Sequence, residues 1–246
     1  MNAADVITVT RKEWLEFRDQ LLRLRRGGMS AVIVLLMLGI VTPLQMGPLW
    51  LKSPLMLAYW PLLSSGMVST LIADAFAGER ERHTLETLLA TRLSDTSILL
   101  GKVLAAIMYG LLFTTANIVV GVVTLSIAHF DKGIQAPPAM HIGYMLLLVT
   151  LACSTLAGIG VFISLRAATV RQAQQTLGII MMVLFIGPVL FIQFLDSEDR
   201  MSMAARLGSM GTARIVGWTS VILLAVSVVL IFMAMGRFKR GKLTLD

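Results

Sequence analysis

Residues 103–130 read VLAAIMYGLLFTTANIVVGVVTLSIAHF. The run holds no Asp, Glu, Lys or Arg, and a helix of about 20 apolar residues is enough to cross roughly 30 Å of hydrocarbon. Five more charge-free windows flank it, at 29–51, 53–73, 133–165, 172–195 and 215–236. Strands would leave backbone groups unpaired in lipid, so each window predicts a helix. Composition agrees: 57% of the chain is hydrophobic and 14% charged, against about 25% charged in soluble domains. The sequence therefore predicts an all-α integral membrane protein. Its six transmembrane helices fall at about 29–51, 54–76, 97–128, 141–165, 176–195 and 215–236.

Charge placement sets the expected orientation. Sixteen Lys and Arg residues lie in the N-terminal segment, the loops after spans 2 and 4, and the tail, while Lys52, Lys132, Arg200, Arg206 and Arg214 lie on the other side. The positive-inside rule then puts both termini in the cytoplasm. The net charge of +7 is read as this topology signal rather than as a nucleic-acid surface. A polar first 28 residues predicts no cleavable signal peptide. Cys153 is the single cysteine, which excludes an intramolecular disulfide and any Cys-based metal site.

Residues 1–28 form the expected cytoplasmic N-terminus, and 29–246 the membrane domain. Within the former, Thr10 and Glu13 have capping-box spacing and predict a helix over 10–26. Trp14, Phe17, Leu21 and Leu24 recur at helical intervals among Arg18, Arg23, Arg25 and Arg26, the pattern of a helix lying along a membrane interface. Pro43 and Pro48 predict a kink in span 1, and Gly187-Pro188 a break in span 5. Trp50, Tyr59, Trp60 and Trp218 read as an outer aromatic belt. Ser94 and Asp95 are candidate caps for span 3, and Met201–Leu207 is a candidate short external helix.

No ionisable residue lies deep in a span; Asp74 and Lys102 sit near inner ends. That disfavours an ion-coupled carrier, which needs such a group near mid-membrane. The chain also lacks a Gly-x-x-x-x-Gly-Lys-Ser/Thr phosphate loop. His83, His129 and His141 have no metal-ligand spacing, and Gly208-Ser209-Met210-Gly211 is not a nucleophile elbow. An intramembrane protease or lipid-modifying enzyme is disfavoured accordingly. Polar residues inside spans, among them Ser64, Ser65, Thr114, Thr115 and Asn117, suit interhelical hydrogen bonding, as Ala157, Gly158 and Gly160 suit close helix packing. Thr114, Thr115 and Asn117 are also the first candidates to line a path.

The stretch Phe76-Ala-Gly-Glu-Arg-Glu-Arg-His-Thr-Leu-Glu-Thr-Leu-Leu-Ala-Thr-Arg-Leu-Ser94 follows span 2. It resembles the signature of the ABC-2 type permease family, Gly-Glu-Arg-Glu-x-Gly-Thr-Leu-Glu-x-Leu-Leu, followed by Pro-x-Ser and a Gly-Lys that opens the third span. Glu79, Arg80, Glu81, Thr84, Leu85, Glu86, Leu88, Leu89, Ser94, Gly101 and Lys102 match it. His83 stands where the signature has Gly, and Arg92 where Pro is common. The resemblance implies a permease subunit of an ATP-driven exporter, with a cytoplasmic coupling helix between spans 2 and 3. A separate ABC ATPase would carry ATP and Mg and do the hydrolysis, so this chain would bind no cofactor and would not itself be an enzyme. A second permease chain, identical or different, would complete the path. Glu79 through Leu89 would couple to the ATPase, with Leu85, Leu88 and Leu89 as an apolar stripe for its groove and Glu86 at the rim. The implied location is the cytoplasmic (plasma or inner) membrane. The same features also suit a membrane anchor or regulatory subunit that transmits force or signal without moving solute. The transported substrate is not legible, although the scarcity of aromatics disfavours a sugar polymer.

Overall fold

The computed structural model describes residues 2–22, 28–53, 55–84, 87–88, 90–130 and 133–238. Every regular element among them is helical. In chain order these are α1 (Ala3–Leu22), α2 (Gly28–Leu36), α3 (Thr42–Met46), α4 (Leu49–Lys52), α5 (Leu55–Ala73), α6 (Glu79–Glu81), α7 (Asp95–Ala128), α8 (Ala139–Ser164), α9 (Val170–Phe194), α10 (Ser197–Ser209) and α11 (Thr212–Arg237). Among the described residues, five helices are long and apolar enough to cross a membrane: Met56–Glu81, α7, α8, α9 and α11. The first expected span is a broken element instead. α2 passes through a π-helical turn, Met37–Val41, into α3, where Pro43 takes a position in the first turn. The widened π-turn accommodates the missing N–H of Pro43, and the Gly39 carbonyl within it accepts from the Thr124 hydroxyl of α7 at 3.1 Å. The chain then turns at Gly47, whose φ of 60° suits a residue without a Cβ.

Several boundaries differ from the sequence expectation for identifiable reasons. α1 begins seven residues earlier than Thr10, because the Asn2 side chain accepts from the Ala4 N–H and starts the helix there. Thr10 and Glu13 are therefore interior helix positions and form no capping box. Residues 23–27, including the last arginines of that segment, lie outside the described residues. Helix α9 starts at Val170, capped by the Thr169 hydroxyl on the Gln172 N–H, and runs unbroken through positions 187–188. A long helix absorbs one missing N–H without ending. The Ser94 cap of α7 is present, accepting from the Ser97 N–H at 3.2 Å.

The core lies where α5, α7 and α8 meet, around Val68, Ile72, Leu99, Ala106, Val149 and Ala157, all essentially without exposure. Small residues let these backbones approach, as in membrane bundles generally. A Cβ on Gly110 would stand 2.6 Å from the Cys153 sulfur, and one on Gly158 would stand 2.8 Å from Leu230. Trp50 and Trp60 belong to this interior rather than to a lipid-facing belt. Each is 1% exposed, their rings stack edge to face at 5.6 Å, and the Trp50 ring fills the space that Gly121 leaves open. Trp218, at 64% exposure, does face outward. The outer faces of α9 and α11 expose Ile179, Met182, Val183, Val221, Ile222 and Phe232, apolar surface that suits lipid.

Candidate functional site

The helix of span 2 does not stop at Phe76. It continues through a π-helical turn, Asp74–Gly78, into α6, and so carries Glu79, Arg80 and Glu81 into the bundle instead of leaving them on a free loop. π-Turns of this kind recur at functional sites.

Glu79 joins a buried cluster of charges. The Lys102 ammonium, on α7 and without any exposure, donates to Glu13 Oε1 of α1, to the Ala75 carbonyl and to Glu79 Oε1, each at 2.8 Å. Lys12 Nζ reaches the same Glu79 oxygen at 2.9 Å and Glu13 Oε1 at 3.4 Å. Lys102, Glu13 and Glu79 are thus buried, where an unpaired ion would cost several kcal/mol, while Lys12 closes the cluster from the partly exposed side and also reaches Glu16 at 3.3 Å. Burial alone would lower the Lys12 pKa, but its hydrogen bond to Glu79 and the charges of Glu13, Glu79 and Glu16 outweigh burial and raise it. The second Glu79 oxygen is buried without a partner.

Close contact at Gly101 makes this pairing reachable. A Cβ there would stand 2.6 Å from Val9 Cβ, and the Thr10 hydroxyl donates to the Gly101 carbonyl at 3.2 Å. Further along, the Phe17 ring lies 4.2 Å from Tyr109 and 6.1 Å from half-buried Trp14. α1 therefore lies along the first half of α7, with part of its apolar face on protein. Arg18 is exposed and pairs with Asp19 at 3.2 Å.

Arg80 and Glu81 grip the opposite side. The Arg80 guanidinium donates to the carbonyls of Leu165 and of Ala167, the latter at 3.2 Å, at the end of α8. Glu81 Oε2 accepts from the Val170 N–H at 3.0 Å, the first residue of α9. Arg82 returns to Asp74 at 2.6 Å. Three consecutive side chains of the motif therefore tie five helices together at one end of the bundle: α1 and α7 through Glu79, α8 through Arg80, and α9 through Glu81, all held by α6.

His83 ends this helix. The Thr84 N–H bonds to the Glu79 carbonyl at 2.8 Å and the His83 N–H to that of Arg80 at 3.0 Å, while His83 has a φ of 55°. This is a Schellman stop, whose left-handed residue is usually Gly. The departure from the family signature thus falls at a position that wants glycine.

Beyond the stop, His83, Thr84 and Thr87 are exposed, whereas Leu88 is half-buried against the chain's own core. Leu85, Glu86 and Leu89 lie outside the described residues. The candidate path residues separate. Asn117 is fully buried, its amide donating to the Phe113 carbonyl at 2.8 Å, and its oxygen has no partner. Thr114 is fully buried against Ser64, and Thr115 faces outward. Sequence reasoning missed Lys12, Glu13 and Lys102 as one unit. A lone lysine among Leu99, Leu100, Val103 and Leu104 was the available sign that a carboxylate had to come from elsewhere.

A family model described as "ABC-2 type transporter" matches residues 6–194, from α1 to the end of α9. No curated protein is similar enough to the chain to match it.

Proposed function

Since the chain belongs to the ABC-2 type transporter family, a membrane-spanning permease domain, we propose that it is the permease half of an ATP-driven exporter. In this reading two permease chains, identical or different, form the path, and each engages a cytoplasmic ABC ATPase. The broken α2–α3 element supplies the sixth crossing. Both termini face the cytoplasm, and α1 lies along the inner membrane boundary. The permease performs no bond chemistry; ATP and Mg belong to the partner.

The observation that carries the reading is the linkage made by Glu79, Arg80 and Glu81. One turn joins α1, α7, α8 and α9, and the exposed residues that follow it, His83, Thr84 and Thr87, offer a partner direct access to that turn. Closure of the ATPases pushing there would move all these helices as a rigid body, the kind of switch transporters use. Glu86, with its neighbours Leu85 and Leu89, would complete the contact. Thr115, outward on α7, would meet the path formed between two chains, while Thr114 and Asn117 would brace the wall behind it.

The test places spin labels at exposed Ile127 and Phe194 and measures their separation between the two chains of the complex, with and without vanadate-trapped nucleotide. The distance should change in the wild type. Arg80→Ala should keep the ATPase bound and hydrolysing but lose the change. An unaltered nucleotide-driven change in Arg80→Ala would overturn the linkage. Efflux of candidate solutes from loaded vesicles separates an exporter from a force-transmitting anchor.

A further inference from the structure

α9 and α11 both pack on α8, and between them, at the end that carries Arg80's contacts, lies a cavity of about 530 Å³. Its walls include Phe162, Ile180, Leu230 and Met233, and its polar groups include Arg166, Arg237 and Gln172. The lining contains no Asp or Glu. Neither arginine forms an ion pair among the described residues, and Arg237 stands 5.6 Å over the Phe162 ring. Arg171 on α9 and Lys239 and Arg240 just after α11 add positive charge nearby in sequence.

We propose that this cavity binds an anionic membrane phospholipid, with its phosphate between Arg166 and Arg237 and its acyl chains along the outer faces of α9 and α11. Two arginines line one cavity whose other walls are mostly apolar, so the complementary ligand is an anion with a hydrocarbon body. Arginine suits phosphate because its fork donates two parallel hydrogen bonds. The exposed Met182 and Val183 of α9 and Val229 and Phe232 of α11 continue the apolar wall away from the arginines. Arginines that merely reached for headgroups would need no shared cavity. The volume falls in the range of about 300–1,000 Å³ typical of ligand sites. The inference stands whether or not the chain couples to an ATPase.

The test is native mass spectrometry of the delipidated full chain in detergent, titrated with phosphatidylglycerol or phosphatidylcholine. Phosphatidylglycerol should bind the wild type, and Arg166→Gln/Arg237→Gln should weaken it about thirtyfold, each arginine contributing about one charge's worth of headgroup attraction. Phosphatidylcholine binding should not change. Arg200→Gln/Arg206→Gln on α10 removes the same charge away from the cavity and should bind phosphatidylglycerol as the wild type does. Arg166→Lys/Arg237→Lys should retain most of the affinity. Wild-type affinity in the double Gln variant, an equal loss in the α10 variant, or displacement of the lipid by free glycerol phosphate at comparable concentration would overturn the assignment.

Discussion

Replacing Lys102 with methionine should be the most damaging single change at the end of the bundle that carries Glu79. The side chain fits by volume, so the loss reads electrostatics rather than packing. Lys102 has no exposure and three hydrogen bonds of 2.8 Å, two of them to carboxylates that are 8% and 7% exposed. Its removal leaves Glu13 and Glu79 facing one another with only the partly exposed Lys12 between them. Breaking a buried pair by deleting one partner costs about 3–5 kcal/mol, and for a chain of this length 1 kcal/mol moves the melting temperature by roughly 2–4 °C. The expected fall is therefore about 10 °C, measured by thermal unfolding of the detergent-solubilised protein. Glu79→Gln combined with Lys102→Met should recover part of that loss, because Lys12 then balances the one buried carboxylate that remains, Glu13. If Lys102→Met melts within 1 °C of the wild type, or the double variant is no better than the single, the cluster is not a buried ionic centre.

Other substitutions follow from single geometric facts. His83→Gly should stabilise the protein by about 1 kcal/mol, because a left-handed L-residue costs roughly that much and glycine does not; a lowered melting temperature would mean the imidazole has a role of its own. Gly101→Ala should destabilise by about 1–3 kcal/mol, since the new Cβ meets Val9 at 2.6 Å and pries α1 from α7; unchanged melting would show that α1 is not seated there. An alkaline phosphatase fusion after Asp246 should be inactive, because the charge asymmetry predicts a cytoplasmic C-terminus; an active fusion would reverse the orientation.

Much of the architecture was legible because it depends on composition alone. A charge-free run such as 103–130 has to be a helix in lipid, and α7 contains all but its last two residues. The Ser94 cap was legible because a hydroxyl three residues before a free N–H acts locally. What sequence spacing cannot see is a partner far along the chain. Thr10 and Glu13 have the spacing of a cap, yet Asn2 starts the helix, and the Glu13 carboxylate is committed to Lys102, 89 positions away. Trp50 and Trp60, beside a short loop, read as belt residues; only Gly121, 71 positions on, makes room for the first of them inside. Pro188 signalled a break by its missing N–H, but a 25-residue helix carries one lost bond. At the motif, the family resemblance pointed to residues 79–89 without distinguishing their tasks. Glu79, Arg80 and Glu81 are committed to the chain's own helices and Leu88 to its own core, which leaves His83, Thr84 and Thr87 on the accessible side.

That accessible turn is where the proposed account can be tested most directly. A photo-crosslinking amino acid placed at exposed Thr87, in the tagged chain in its native membrane, should form a covalent product with a phosphate-loop ATPase identifiable by mass spectrometry. The same probe at exposed Met201 on α10 should not. A Thr87 probe that yields no ATPase adduct, or an adduct formed equally well at Met201, would contradict the claim that this turn transmits ATPase motion to the spans.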